Sequence, residues 1–455
     1  MAGGIFTKTN EVLPGAYINT KAAQKSILGS NGVSGVVFAI ETGLGWGKDG
    51  VVEVTAKSDF LSLFGLPITD AKLTGLRQIL ANASKAYVYN VNGGTSATAT
   101  SAVLPWKFTA KYGGVGGNGI NVTVQADVAT TGAYSVVTTF GSVVVDKQTV
   151  KKASELKAND FTTPAVTSEA KADDGEALLE AIVTPVSVDF TGGANATVPD
   201  MYSLQEAIDA YEYNTLVAAD AGETANVHAL IAAAAQRLRE EQGREVQAVV
   251  PSTATTVVAD NEGIIVVGNT VKMTDGTTLT QSQFAGFVAG ITASALDNQS
   301  LTYAKIEGAT DAVPRFTDDQ AISEIQQGHL IARATRGFVR IEVDCNSLIS
   351  YDDDKSADFS KNRVIRVLDT FRNWVRMTWE DNFVGQVTNN AQGRDLLKAT
   401  IANYLTEALS RGAIQNFAVE DIEVTAGPTK DSVIVNVAVT PTDAMEKLYM
   451  SISVN

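Results

Sequence analysis

Short apolar runs alternate with longer helical patterns between residues 203 and 345. EVQAVVP at 245–251 follows an alanine-rich segment at 223–243 whose apolar positions keep helical spacing. IIVVGN at 264–269 predicts another strand, and residues 281–296 predict another helix. Alternation of this kind indicates parallel strands covered by helices.

The start of the chain repeats this pattern on a smaller scale. VVFAI at 36–40 predicts a buried strand, the apolar spacing at 73–84 predicts a helix, and YVYNV at 87–91 predicts a second strand. Residues 1–25 are rich in Gly, Thr and Asn and contain one strand-like patch, so we interpret them as an arm outside the core.

Residues 96–195 follow a different pattern. Short β-rich runs such as INVTVQADV at 120–128 and YSVVTTF at 134–140 are separated by Gly and Asn turns, with one clear helix at 175–183. This pattern predicts an antiparallel β domain, which we interpret as a β-sandwich.

Further helices are predicted at 318–328, 361–379 and 392–411, followed by strand-like segments at 419–425, 431–440 and 446–454. The fold class is therefore α/β with an all-β insert and a C-terminal α+β domain. The predicted division is an N-terminal arm at 1–25, an α/β segment at 26–95, a β-sandwich domain at 96–195, an α/β domain at 196–345, a C-terminal domain at 346–445 and a C-terminal arm at 446–455.

Composition narrows the classes of function. The chain has 455 residues, with 35 basic and 51 acidic side chains and a net charge of −16. An acidic surface repels phosphate, so we expect no nucleic-acid partner and no anionic membrane surface. One cysteine, Cys345, excludes an intrachain disulfide, and two histidines leave little from which to build a Zn or Cu site. We expect a protein of a reducing cytoplasm, with no signal peptide, membrane insertion, metal or cofactor.

Charge is unevenly distributed along the chain. Residues 196–345 carry a net charge of −11, whereas residues 361–379 hold five basic residues and one acid, Asp369. On a helical wheel the basic residues lie opposite an apolar arc, and exposed arginines there would suit an acidic protein partner. The alternative is a helix packed on its own domain. The candidates are Lys361, Arg363, Arg366, Arg372 and Arg376.

Catalytic motifs are weak. GGVGGNG at 113–119 has the spacing of a dinucleotide loop, but an alternating strand follows where a helix would be required, so it indicates a turn. His228 lies inside a helical pattern, and His329 ends another. No GxSxG motif accompanies them, and YDDDKSAD at 351–358 lacks the glycine and glutamate of a calcium loop.

The two ends of the chain supply a stronger signal. Strand-like residues at 14–19 and at 447–454 could pair with other chains by β-augmentation, which would produce a polymer. The candidate strand-exchange residues are Pro14, Gly15, Tyr17, Ile18, Leu448, Tyr449, Met450, Ile452 and Val454.

Several segments together resemble the tail sheath proteins of contractile phage tails and R-type bacteriocins, in the branch of Gram-positive phages and prophages. The resemblance runs nearly end to end. It is carried by PGAYIN at 14–19, KYGGVGGNGINVTV at 111–124, SLTYAKIEGA at 300–309, DFSKNRVIRVLD at 358–369, GRDLLKATIANYL at 393–405, GAIQNF at 412–417 and PTDAMEKLYMSISV at 441–454.

The resemblance implies a subtilisin-like α/β domain without protease activity and a C-terminal domain that faces an inner tube. It also implies N- and C-terminal arms that add strands to the C-terminal domains of neighbouring copies, with receiving strands at 419–425 and 431–440. The implied location is a virion or phage-tail-like particle. The implied partners are other copies of the chain in six-fold rings, an inner tail tube protein, and baseplate and tail terminator proteins.

Two other classes of function stay open at this point. One is another self-assembling shell or surface-layer protein, which would share the strand-exchanging ends. The other is a live subtilisin-like hydrolase, which needs a serine beside His228 or His329 and a carboxylate behind that histidine.

Overall fold

The structure, a computed structural model, describes residues 2–4, 15–17, 35–196, 201–223, 225–257 and 259–453. The first two spans form strands β1 (Ala2–Gly4) and β2 (Gly15–Tyr17), which pair in parallel. The predicted exchange residues Pro14, Ile18 and Val454 lie outside the described residues.

The chain from residue 36 to residue 91 supplies three strands of a central sheet. The strands predicted at 36–40 and 87–91 and the helix predicted within 73–84 are confirmed. The elements are β3 (Val36–Thr42), β4 (Gly50–Val54), α1 (Phe60–Phe64), α2 (Thr74–Leu80) and β5 (Lys85–Val91).

An antiparallel β region follows. Its elements are β6 (Ser96–Thr100), β7 (Trp106–Gly113), β8 (Ile120–Ala126), β9 (Tyr134–Phe140), β10 (Val143–Val150), β11 (Thr162–Val166), α3 (Glu176–Glu180) and β12 (Val186–Asp189). Two sheets, in the orders β10-β9-β8-β12 and β11-β7-β6, enclose one core that contains Trp106, Phe108 and Val122. Trp46, from the loop after β3, packs in the same core and ties this region to the central sheet.

The chain then returns to the central sheet. The elements are α4 (Met201–Ala210), β13 (Thr215–Val217), α5 (Val227–Gln242), β14 (Gln247–Pro251), β15 (Ile264–Val267), β16 (Thr270–Met273), α6 (Gln281–Ser294), β17 (Ala309–Val313), α7 (Asp318–Gln326), β18 (His329–Leu330), β19 (Ala332–Thr335) and β20 (Phe338–Ile341). Gly243 ends α5 in the left-handed conformation, and Thr280 begins α6 with a capping box.

One seven-stranded sheet joins the two α/β segments that the sequence analysis had separated. Its order is β18-β15-β14-β13-β3-β5-β4, and every pairing is parallel except that of β4 with β5. Alternate residues of β3 enter different cores, with Val37 and Ala39 facing α2 and α6, and Phe38 facing α4 and α5. The segments 26–95 and 196–345 therefore share one sheet, because β3 pairs with β13 as well as with β5.

The C-terminal region packs two long helices against small sheets. Its elements are α8 (Asn362–Asn382), α9 (Ala391–Ser410), β21 (Ile414–Gln415), β22 (Ile422–Ala426), β23 (Val433–Val437) and β24 (Thr440–Pro441). β22 pairs with β23, and β21 pairs with β24. The core between helices and strands includes Val367, Leu397, Ile401 and Ile422.

Candidate functional site

The chain from residue 442 to residue 453 contains neither helix nor strand. Within it, Leu448 is 85% exposed, Tyr449 89% and Ile452 77%, and Met450 is also exposed. Within the described residues, residues 447–453 pair with no strand. Exposed apolar side chains in sequence on such a segment are typical of surfaces that another protein covers. The predicted C-terminal arm began at residue 446, but Glu446 is held against the body of the chain. From here on, C-terminal arm means residues 447–453.

The arm begins at an anchored residue. The Thr302 hydroxyl donates a 2.7 Å hydrogen bond to Glu446 Oε1, and the Lys361 ammonium pairs with Glu446 Oε2. Asp443 adds a second carboxylate, 3.8 Å from the Lys361 nitrogen. These contacts hold the last residue before the arm against the body of the chain, so the point from which the arm departs is fixed.

An open groove runs beside β23. Strands β22 and β23 form a sheet of two strands, and within the described residues no further strand pairs with the outer edge of β23. A cavity of about 520 Å³ lies between this strand and helices α8 and α9. Its apolar lining includes Val435, Val437, Phe371, Val375 and Trp379. We call this cavity the β23 groove.

A second cavity of about 550 Å³ lies beside the first and shares Trp379, Leu397 and Val433 with it. Lys430, Asp431 and Arg394 also line this second cavity. Together the two cavities extend along β23 from Val437 to Val433, which is the direction a further strand would follow.

Helix α8 presents its basic residues mainly to its own chain. Arg366 was expected to be exposed, and that expectation is wrong. Its side chain is 8% exposed, donates to the carbonyl oxygen of Gln299 at 2.6 Å and pairs with Asp344 at 3.4 Å. The physical reason is that both sides of the first half of α8 are covered, since Val364 and Ile365 are buried as well.

The other four basic candidates are partly or fully at the surface. Lys361 holds the root of the arm through Glu446. Arg376 pairs with Glu212 at 3.2 Å and with Glu380 at 3.3 Å. Arg363 is half-buried, and its one hydrogen bond is a long contact of 3.5 Å to the Gly412 carbonyl. Arg372 is exposed and also pairs with Glu245 at 3.0 Å.

A buried ionic network joins α8 to the central sheet. Arg239 on α5 contacts Asp369 at 2.7 Å and Glu245 at 3.1 Å. Burial, together with the neighbouring Asp369 carboxylate, raises the pKa of Glu245 to about 7. Most of the acidic side chains that pair with arginines of α8 thus come from residues 196–345. The acidic segment 196–345 and the basic helix α8 therefore attract each other within one chain.

Comparison with known proteins identifies the family. The family model described as "Phage tail sheath protein central domain" matches residues 194–347. The model described as "Phage tail sheath C-terminal domain" matches residues 354–455. The phage-like element PBSX protein XkdK of Bacillus subtilis is 31% identical over the whole of both chains. The chain belongs to the phage tail sheath protein family.

Solved structures agree with this assignment to the sheath family. The sheath tail protein of Desulfitobacterium hafniense is 31% identical, matches with a TM-score of 0.78, and covers 96% of this chain and 99% of that one. The helical sheath of the anti-feeding prophage in its contracted state has a TM-score of 0.57 at 15% identity and covers 97% of this chain and 99% of that one. At 15% sequence identity, the match to the anti-feeding prophage sheath shows a similar fold and no more. The mixed α/β sheath fold is therefore shown, while a likeness to subtilisin stays a prediction.

Among the described residues of this sheath chain, one serine lies against a histidine. Ser282 Oγ lies 3.4 Å from His228 Nε2, and Gly222 O lies 3.0 Å from the same nitrogen. Both side chains are fully buried, and His228 Nδ1 has no hydrogen-bond partner among the described residues. Burial lowers the pKa of His228. A hydrolytic triad needs a carboxylate on Nδ1 and access for a substrate, and this contact has neither.

The remaining sequence motifs have structural roles. The glycine segment forms a 3-10 turn at Val115–Gly119 and continues directly into β8. Asp352 accepts hydrogen bonds from the backbone of Asp354 and Lys355 and so shapes its own loop. His329 Nδ1 lies 2.7 Å from Glu324 Oε2.

Within the described residues, no cluster of three His, Cys, Asp or Glu side chains could hold a metal ion. Every helix there is too short or too polar to cross a membrane.

Proposed function

We propose that this sheath-family chain is a structural subunit that polymerises as stacked six-fold rings around an inner tail tube and contracts to drive that tube through a target envelope. The supporting observation is the combination of an exposed apolar arm with an open apolar groove on the same chain. The first could supply a strand and the second could accept one from another copy.

The chemistry of the two surfaces matches. Along an extended arm, Leu448, Met450 and Ile452 point to one face because side chains alternate. A strand added to the outer edge of β23 would lay this face over the half-buried rings of Phe371 and Trp379. Full burial of each such apolar side chain is worth about 1.5–3 kcal/mol, before the cost of ordering the arm.

The N-terminal arm would add a second strand. Gly15 and Tyr17 lie on β2, which pairs with β1 in a small sheet of its own. Strands contributed by both arms would link each copy to its neighbours while the globular bodies change position, so that contraction would be a change of interfaces.

The tube contact is assigned by charge to α8, and Arg372 is the candidate that is most exposed. The energy for contraction would come from subunit interfaces, in a protein that acts without a cofactor and without enzymatic activity. The chain would be synthesised in the host cytoplasm and act in a virion or phage-tail-like particle. Baseplate and tail terminator proteins would be the partners at the two ends of the polymer.

Deletion of residues 447–455 tests the exchange of the C-terminal arm. We expect the truncated chain to fold with an unchanged circular dichroism spectrum and to remain monomeric in sedimentation velocity, while the full chain forms hollow tubes in negative stain. Normal tubes from the truncated chain would refute strand exchange by this arm.

A further inference from the structure

A cluster of cations and aromatic rings lies on the surface where the C-terminal arm departs. The Arg340 guanidinium carbon lies 6.0 Å from the ring centre of Tyr303 and 5.4 Å from that of Phe338. The Lys305 ammonium lies 4.9 Å from the ring of Phe338. Arg336, exposed in the hairpin turn between β19 and β20, adds a further cation. We call these five residues the basic–aromatic patch.

The patch is open to contact. Tyr303 and Phe338 expose about half of their surfaces, and Tyr303 holds a left-handed backbone with φ 59°. Within the described residues, neither Arg336 nor Arg340 forms a salt bridge, and Lys305 pairs only with the exposed Glu307 at 3.3 Å. Tyrosine, phenylalanine and arginine together are typical of the centres of protein interfaces.

The patch adjoins the root of the arm. Tyr303 follows Thr302, whose hydroxyl binds Glu446. Only Lys447 separates this anchored residue from Leu448, the first apolar residue of the arm. Two extended residues span about 7 Å, so a groove that receives Leu448 must open close to the patch.

Charge favours one end of the β23 groove. Its Val433 end adjoins Lys430 and Arg394 as well as Asp431. The rest of the groove, which includes its Val437 end, is lined by Gly243, Arg372 and Arg376. Both arginines are already paired with acids of their own chain, Arg372 with Glu245 and Arg376 with Glu212 and Glu380. The exposed Glu240 and Glu241 lie in the last turn of α5 just before Gly243. In a chain of net charge −16, copies repel one another unless opposite charges meet locally.

We infer that the basic–aromatic patch of one copy docks on Glu240 and Glu241 of the next copy, at the Val437 end of the groove that receives its arm. This inference rests on the proposed exchange of the C-terminal arm and adds its orientation. The arm enters beside Val437 and runs towards Val433, so it pairs antiparallel to β23.

A charge exchange within the full chain tests the docking. Arg336→Glu with Arg340→Glu should lower the polymerised fraction by at least about tenfold, because like charges would then face each other. Glu240→Lys with Glu241→Lys should lower it similarly. All four changes in one chain should restore tubes, since each interface regains opposite charges. The matched control, Lys147→Glu with Lys152→Glu, makes the same charge change on the exposed surface of the β region and should leave polymerisation unchanged.

The outcomes separate this inference from the proposed function. If the chain lacking residues 447–455 polymerises, strand exchange itself fails. If that truncation blocks polymerisation but Arg336→Glu with Arg340→Glu does not, only the docking inference is overturned. If the fourfold variant does not recover, the patch contacts something other than Glu240 and Glu241, and the assignment is equally overturned.

The orientation has its own readout. Lys447→Cys with Val437→Cys should form intermolecular disulfides under mild oxidation, whereas Lys447→Cys with Val433→Cys should not. The reverse result would show a parallel arm and contradict the inference. The native Cys345 is buried, so it does not compete in this reaction.

Discussion

The Arg239 guanidinium donates two parallel hydrogen bonds, of 2.7 and 2.8 Å, to the Asp369 carboxylate. The first residue lies on α5 beside the central sheet and the second on α8 of the C-terminal region, and both are buried. This pair therefore fixes the helix that lines the β23 groove to the body of the chain.

Replacement of Asp369 by Ala should lower the free energy of unfolding by about 1.5–3 kcal/mol, because Arg239 would lose two charge-assisted hydrogen bonds and keep Glu245 as its buried partner. Urea unfolding followed by circular dichroism measures the change. The control is Glu380→Ala, which removes an exposed i,i+4 partner of Arg376 and should cost about 0.5 kcal/mol or less. Equal losses for the two variants would contradict the importance of burial.

Arg366 and Arg372 should respond differently to charge reversal. Arg366→Glu places a second carboxylate beside the buried Asp344, so we expect a chain that is unstable or insoluble. Arg372 is exposed, and its partner Glu245 keeps the buried Arg239 at 3.1 Å, so Arg372→Glu should cost less stability than Arg366→Glu and leave the monomer folded. Under the proposed tube contact it should reduce co-sedimentation with tail tubes. Unaltered tube binding by a folded Arg372→Glu chain would count against that contact.

Glu41 should make stability depend on pH. Its side chain is fully buried at the end of β3, and neither carboxyl oxygen has a hydrogen-bond partner among the described residues. Burial, reinforced by Asp220, raises its pKa well above the ordinary value of 4.5. The folded state therefore holds this proton more tightly, and stability is lost as the pH rises above 4.5 towards the folded pKa.

Glu41→Gln should therefore become progressively more stable than the wild type as the pH rises from 5 towards the raised pKa of Glu41, by up to about 1.4 kcal/mol per pH unit. Chemical unfolding at several pH values provides the comparison, with Glu53→Gln, an exposed residue of the adjoining β4, as the control. A constant difference between Glu41→Gln and the wild type over this range would disprove the role of Glu41.

Two neighbouring residues of β23 point to opposite faces of the strand and so allow the groove to be tested separately. Val435 lines the groove, whereas Ile434 is exposed on the other face. Val435→Lys should block insertion of the arm and keep the chain monomeric, while Ile434→Lys should still polymerise. Sedimentation velocity distinguishes these results, and polymerisation of both variants would rule out the groove as the acceptor.

Deletion of residues 1–20 should leave the globular fold intact and abolish helical assembly, since β1 and β2 pair with each other and not with the central sheet. Electron microscopy and circular dichroism of the same sample provide both readouts. Ordinary sheath tubes from this truncation would exclude a required N-terminal strand.

Local pattern was sufficient for many elements. The buried strand at Val36–Thr42 and the helices α5, α6 and α9 follow from the spacing of apolar residues. Other elements were missed for physical reasons. The hairpin β19–β20 consists of two four-residue strands with mixed polarity, and such short strands give a weak period.

The placement of α8 shows where pattern alone fails. On a helical wheel Val364 and Val367 fall in the apolar arc and Ile365 falls on the polar side, yet all three are buried in the structure. A wheel assumes one buried face. The first half of α8 has two, because Gln247 of β14, Gln299 and Asp344 contact residues on the side that the C-terminal core does not cover.

The sequence by itself determined the alternation of the main strands and helices, the apolar character of residues 447–454 and the family, because these depend on residues close together in the chain or on whole-chain similarity. Only the tertiary structure decided that β3 joins two distant segments in one sheet and that Arg366 is buried against Asp344. It also decided that Thr302, next to Tyr303 of the basic–aromatic patch, binds Glu446, the residue before the C-terminal arm. Each of these relationships pairs residues far apart in sequence, and which distant charges and surfaces meet is set by how the whole chain packs.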